Sequence, residues 1–166
     1  MKTLPVLPRG LEEILKVYGN PDADHNFVLD VDWYVFNTAL FELPFPLRLA
    51  WGDRQTIDRI RAHKLVGDVI VDALIEIGEQ KSVEWLRENN LDLYGGCFCF
   101  RKMTNGDYLS THSWGIAIDL VPHLGPYGKE PLVPQFIVQA FKKRGFEWGG
   151  DWKAPDGMHF QACTGY

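Results

Sequence analysis

The run Ile116-Ala117-Ile118-Asp119-Leu120-Val121 is apolar throughout except for one carboxylate. It predicts a buried strand, and a lone ionised acid in such a strand is costly unless it is paired or bound to a cation. Whatever fold forms must therefore bring partners to Asp119. Two imidazoles are read as those partners: His112 just upstream, and His159 far downstream at the end of Asp156-Gly157-Met158-His159. Two imidazoles and a carboxylate supply three zinc ligands and leave a fourth position open for water, as a hydrolytic zinc requires. Asp156, three residues before the last ligand, is placed to take a proton from that water.

The pattern Ser110-x-His112-x-x-Gly115-x-Ala117-x-Asp119 followed by Asp156-x-x-His159 resembles the zinc peptidases that comprise D-alanyl-D-alanine carboxypeptidases, D-Ala-D-Ala dipeptidases and L-alanyl-D-glutamate endopeptidases. Phe100-Arg101 before the first box and Phe146-Glu147-Trp148-Gly149-Gly150-Asp151-Trp152 before the second add to it. The segment from Leu43-Pro44-Phe45-Pro46-Leu47 to Trp51 is similar to phage-encoded members. The resemblance implies one Zn2+ held by His112, Asp119 and His159, with Asp156 as general base where relatives often carry Glu. Arg101 matches the position whose guanidinium binds substrate and steadies the oxyanion. Ser110 and Gly115 are read as supports of the ligands, by a hydroxyl contact and by a tight backbone approach. Trp114 is open between core and pocket wall. Asp151 is read as structural or beside the ligands, because only Asp156 has the family's offset from His159. Gln161 stands where relatives often have Glu and receives no catalytic role.

At 166 residues, the chain is expected to be a single domain, 1–166, with the motif-bearing core at about 94–162 and no separate wall-binding domain. Hydrophobic residues make up 46% and charged residues 23%, which excludes a disordered chain. A net charge of −5 offers no basic footprint for nucleic acid. No run approaches the roughly 20 apolar residues of a membrane span. The first eight residues are too proline-rich, and too short in apolar run, for a signal peptide. Synthesis in the cytoplasm is thus expected, with action on the cell wall after release. For a wall enzyme that points to a phage or prophage and a separate pore protein. A monomer is expected. Cys97, Cys99 and Cys163 are an odd number and read as buried reduced thiols rather than a disulfide framework, Cys97 and Cys99 sharing a face if their segment is a strand.

Helical spacing marks Gly10–Tyr18, one long helix over Gln55–Ile77 with a possible break at Gly67, a short helix over Ser82–Asn89 capped by Ser82, and a helix over Pro134–Arg144. The basic run Lys142-Lys143-Arg144 reads as its cationic last turn. The prolines of Leu40–Leu49 suggest an edge strand or an extended wrap. Tyr94–Arg101, Ile116–Val121, Phe146–Trp148 and Met158–Ala162 read as strands. Helices mostly precede strands, so the expected class is α+β: a small antiparallel sheet carrying the site, with helices packed on it.

The expected function is zinc-dependent hydrolysis of peptidoglycan peptide stems, as a phage-type L-alanyl-D-glutamate endopeptidase. A D-alanyl-D-alanine carboxypeptidase is the alternative within the class. A non-catalytic zinc module, known on this fold in Hedgehog-like signalling domains, is the alternative outside it. His25 reads as solvated, His63 as structural or surface, and His123 as a residue without a site role, a substrate contact or competing ligand being the alternative.

Overall fold

A computed structural model of the chain describes residues 1–4, 7–104 and 106–166; residues 5 and 6 of the proline-rich amino-terminal run lie outside it. The described residues form five α-helices and six strands: α1 Gly10–Tyr18, α2 Val31–Asn37, β1 Thr38–Leu49, β2 Thr56–His63, α3 Gly67–Gln80, α4 Val83–Glu88, β3 Leu93–Gly96, β4 Ala117–Leu120, α5 Gln135–Lys142, β5 Glu147–Trp148 and β6 His159–Gln161. The strands make one sheet in the order β2-β1-β3-β4-β6-β5. Helices come mainly before the site-bearing strands, and the class is α+β, as expected. The sheet is larger than expected and mixed, because β1 and β3 run parallel over Arg48↔Leu93 and Leu49↔Tyr94. All its other pairings are antiparallel.

Local chemistry accounts for most boundaries. In α1, Leu11, Ile14, Leu15 and Tyr18 recur at helical spacing, and Gly19 ends the helix at φ 76°. Asp30 Oδ1 accepts from Trp33 N at 2.9 Å to cap α2. Ser82 Oγ accepts from Trp85 N at 3.2 Å to cap α4. Each satisfies an amide that the first helical turn would otherwise leave free. Pro134 opens α5, where a missing N–H is harmless.

Three expectations change. The long helix is instead strand β2 followed by helix α3, with the division just before Gly67. Ile57 and Ile60 fit a helical spacing, but they pair across the sheet with Leu47 and Phe41. Burial at Ile60 and Ala62 follows the two-residue period of a strand. Second, β1 is not a simple edge strand. Over Thr38–Glu42 its pairing is with β2, whereas Arg48 and Leu49 lie between β2 or its turn and β3. Its two prolines fall where the register shifts between Glu42 and Leu47, so their missing N–H groups interrupt no regular ladder. Third, the strand from Tyr94 ends at Gly96 instead of Arg101. Cys97 is therefore buried and Cys99 exposed, and the two do not share a face. Cys163 is buried.

α3 packs on β1 and α5, and α5 packs on β5. Phe141 of α5, fully buried, stacks on Phe160 of β6 with ring centroids 4.6 Å apart and meets Phe146 edge-on at 5.3 Å. The basic run after α5 is more than a cationic helix end. Arg144 is buried, with its guanidinium bonded to Asp72 and Glu76 of α3; Lys143 pairs with Glu76 and Lys142 with Asp151. At the other end of the chain, Tyr18 Oη donates to Ala162 O at 2.9 Å, tying α1 to the segment after β6. Among the described residues no helix is long and apolar enough to cross a membrane.

Candidate metal centre

Asp119 of β4 lies directly opposite His159 of β6 in the sheet register. His112 comes from the short 3-10 turn Thr111–Trp114 just before β4. The three side chains converge, with one candidate ligand atom from each and all of these within 4.8 Å of one another. Among the described residues this is the cluster of His, Cys, Asp and Glu that could hold a metal ion.

The ring tautomers show why. His112 Nδ1 is 2.7 Å from Cys97 O, and a carbonyl can only accept, so Nδ1 carries the proton. Its Nε2 is then a bare lone pair, buried 3.2 Å from Asp119 Oδ2 with no aligned hydrogen-bond partner among the described residues. On His159, Nε2 faces Gln161 Oε1 at 3.0 Å and Thr111 Oγ1 at 3.3 Å, leaving Nδ1 toward Asp119 Oδ1 at 2.9 Å. Two imidazole lone pairs thus face one carboxylate in a buried site. Acceptors set against acceptors are unfavourable without a proton or a cation between them. The donor set of two nitrogens and one oxygen suits zinc. The residues present fit the ion.

The electrostatics agree. With protons in a cation's place on the two imidazoles, burial works against ionised Asp119, but the positive charge of His112 and His159 outweighs it and holds its carboxyl well below the usual range. Burial also works against protonated His159, yet Asp119 raises its pKa overall.

Several neighbours shape the cluster. Ser110 caps the 3-10 turn, its Oγ accepting from His112 N at 3.4 Å. Gly115 follows at φ 66°, and a Cβ there would sit 2.9 Å from His63 N, so only glycine lets this turn close against the end of β2. Trp114 is core: it is buried and donates from Nε1 to Gly19 O at 2.9 Å.

Asp156 is half-buried, and its Oδ1 has no hydrogen-bond partner among the described residues. Its backbone N donates to Gly149 O at 2.9 Å, and a Cβ on Gly149 would lie 2.5 Å from Asp156 O. The glycine turn after β5 is thus what lets the chain carrying Asp156 approach. Burial raises the Asp156 pKa, with His159 opposing. Arg101 is exposed, and its charge reaches Asp156 and tends to lower that pKa. The backbone of Arg101 is clamped by the buried Ser113 hydroxyl, which donates to Arg101 O at 2.8 Å and accepts from Arg101 N at 3.0 Å. Asp151 is not one of the clustered groups. It is exposed and paired with Lys142, which leaves Asp156 as the acid at the cluster. His123 is exposed and falls outside the cluster.

Sequence reasoning missed Cys97, Thr111, Ser113, Trp152 and Gln161. Trp152 lies over His159 with ring centroids 5.5 Å apart. Only Gln161 carried a legible signal: two residues from His159 on one strand, it must share its face.

No solved structure matches the chain. Residues 104–162 match the family model described as D-alanyl-D-alanine carboxypeptidase, a stretch that begins just after Arg101. That match bears out, over the segment carrying His112, Asp119, Asp156 and His159, the resemblance to the zinc D-alanyl-D-alanine carboxypeptidase family.

Proposed function

We propose that this protein is a zinc-dependent peptidase acting on the peptide stems of bacterial peptidoglycan. The observation that carries the reading is an unpartnered carboxylate oxygen on Asp156 beside a His-Asp-His cluster whose lone pairs converge. A purely structural zinc would normally be closed by a fourth Cys or His. Among the described residues neither nearby cysteine joins the cluster: Cys97 is buried with its thiol toward Gly115 O, and Cys163 is buried, its thiol pushed up by burial and by Glu147. The converging cluster and the free base favour a peptidase over a non-catalytic zinc module.

His112 through Nε2, Asp119 through its carboxylate and His159 through Nδ1 would hold the ion. When bound, zinc supplies Lewis acidity, activating water and polarising a scissile carbonyl. Asp156 takes the proton from the attacking water and delivers it to the departing amine. Its raised pKa suits both transfers, since a base too acidic to hold the proton could not pass it on. Arg101, always charged, is the group that would steady the negative charge that develops on the carbonyl oxygen.

Two bonds in the stem are candidates. Similarity of the Leu43–Trp51 segment to phage-encoded relatives supports an L-alanyl-D-glutamate endopeptidase of the endolysin type, reaching the wall with the help of a separate phage pore protein. The family description supports cleavage at D-alanyl-D-alanine instead, with exposed Arg101 receiving a terminal carboxylate. Digestion of purified peptidoglycan followed by mass analysis tests both. Free D-alanine marks the carboxypeptidase, stems released at L-alanine mark the endopeptidase, and an unaltered digest would overturn the enzymatic reading.

A further inference from the structure

We infer that Glu147, acting through Gln161, selects which nitrogen of His159 binds the metal; the inference rests on the metal-site reading above. β6 lies between β4 and β5, so Gln161 is paired with Glu147 on one side while His159 is paired with Asp119 on the other. The Gln161 side chain is buried and fully engaged. Its Nε2 lies 2.9 Å from Glu147 Oε2 and 3.3 Å from Cys163 O.

A carboxylate and a carbonyl offer only acceptors. The amide must therefore turn its NH2 toward them and its oxygen toward His159. That oxygen, 3.0 Å from His159 Nε2, can only accept, so Nε2 must keep its proton and Nδ1 must carry the lone pair. The order of control runs from Glu147 to the Gln161 amide, from the amide to the imidazole tautomer, and from the tautomer to the ligand atom. Nδ1 is the atom that faces Asp119. Glu147 and Gln161 are positioning residues, not catalytic ones.

This explains a feature of this chain's own sequence. A glutamate at 161 would put two carboxylates side by side, one of them buried, so with Glu147 across the strand an amide is the residue that completes the relay. The paired exchange of Q161E with E147Q would restore the same polarity, since the amide then at 147 would donate to the carboxylate at 161.

Zinc affinity by competition with a chromophoric chelator, and the protonated nitrogen of His159 by long-range 1H–15N correlation in the zinc-loaded protein, test the relay. Wild type should show an Nε2-bound proton. Q161L should bind zinc roughly 10–100-fold more weakly, the usual effect of removing a partner that orients a ligand, and should lose the protected Nε2 proton. The near-isosteric Q161E should also weaken binding, and adding E147Q should restore affinity and the Nε2 signal together. A merely structural role for Gln161 would not produce that rescue. If Q161L and Q161E hold zinc as tightly as wild type with the Nε2 signal unchanged, the relay is wrong. If wild type takes up no zinc, the metal reading itself fails.

Discussion

The chemistry turns on a few atoms that the fold leaves unsatisfied. Asp156 Oδ1 and His112 Nε2 are buried without hydrogen-bond partners among the described residues. Leaving such a group unmade costs about 1–3 kcal/mol, so a protein that retains two beside each other has a use for both. For Asp156 the use is proton transfer. Asp156→Asn keeps the shape but cannot accept a proton at neutral pH. Turnover on peptidoglycan should fall by roughly two to four orders of magnitude, the usual worth of a positioned base. Zinc content, measured by elemental analysis, should be unchanged. Near wild-type turnover would remove Asp156 from the mechanism. Asp119 was legible as a candidate ligand because an acid in an apolar strand demands a partner, while His112 and His159 were legible with it through the resemblance that their spacing carries. The atoms that choose the tautomers were not. Cys97 contributes a backbone carbonyl, which no residue type reveals, and the orientation of the Gln161 amide depends on Glu147 across the sheet.

At the scale of elements, the site depends on β4 and β6 staying in register, and α5 is the clamp behind them. Phe141 fills the space over Phe160, the neighbour of His159 in β6. Phe141→Ala would leave a cavity there. It should cost about 3–5 kcal/mol in the free energy of urea unfolding. A loss below about 1 kcal/mol would show that the layer closes without Phe141. Elements with their own signals were readable: α1 from its spacing and Gly19, α4 from Ser82, α5 from Pro134. Strand β2 was not. Its apolar residues Ile57 and Ile60 match a helical period, and only pairing with β1, which lies far from them in local pattern, makes the strand the better state. The short reach of β3 has a similar cause. The chain leaves the sheet after Gly96 to place the Cys97 carbonyl on His112, so a site contact overrides the Cys-Phe alternation.

Across the whole molecule, His63 joins the parts that the site needs. It ends β2, and its backbone N donates to Gly115 O at 2.9 Å, beside the turn that carries His112. Its ring meets Tyr18 of α1 edge-on at 4.9 Å and Trp33 of α2 at 6.1 Å. Both ring nitrogens are used: Nε2 donates to Tyr18 O at 3.2 Å, and Nδ1 accepts from Leu65 N at 3.2 Å. The neutral ring is therefore fully satisfied, and a protonated one would lose the Leu65 bond and bury a charge. Burial is the main cause that lowers its pKa from 6.5 to about 4, with Tyr18 O opposing and Lys64 adding to the drop. Because the folded value lies below the unfolded one, the unfolded chain takes up the proton first. The stabilisation is complete above about pH 6.5, declines as pH falls, and is lost once pH passes about 4. At about 1.4 kcal/mol per pH unit that span is worth roughly 3 kcal/mol. Urea unfolding of wild type and His63→Gln should therefore diverge with pH. Wild type should lose this amount between pH 6.5 and pH 4 in excess of the variant, whose side chain does not titrate. Parallel pH profiles for the two proteins would mean that His63 takes up its proton as readily in the fold as in the unfolded chain, and that the α1–β2 junction tolerates the charge.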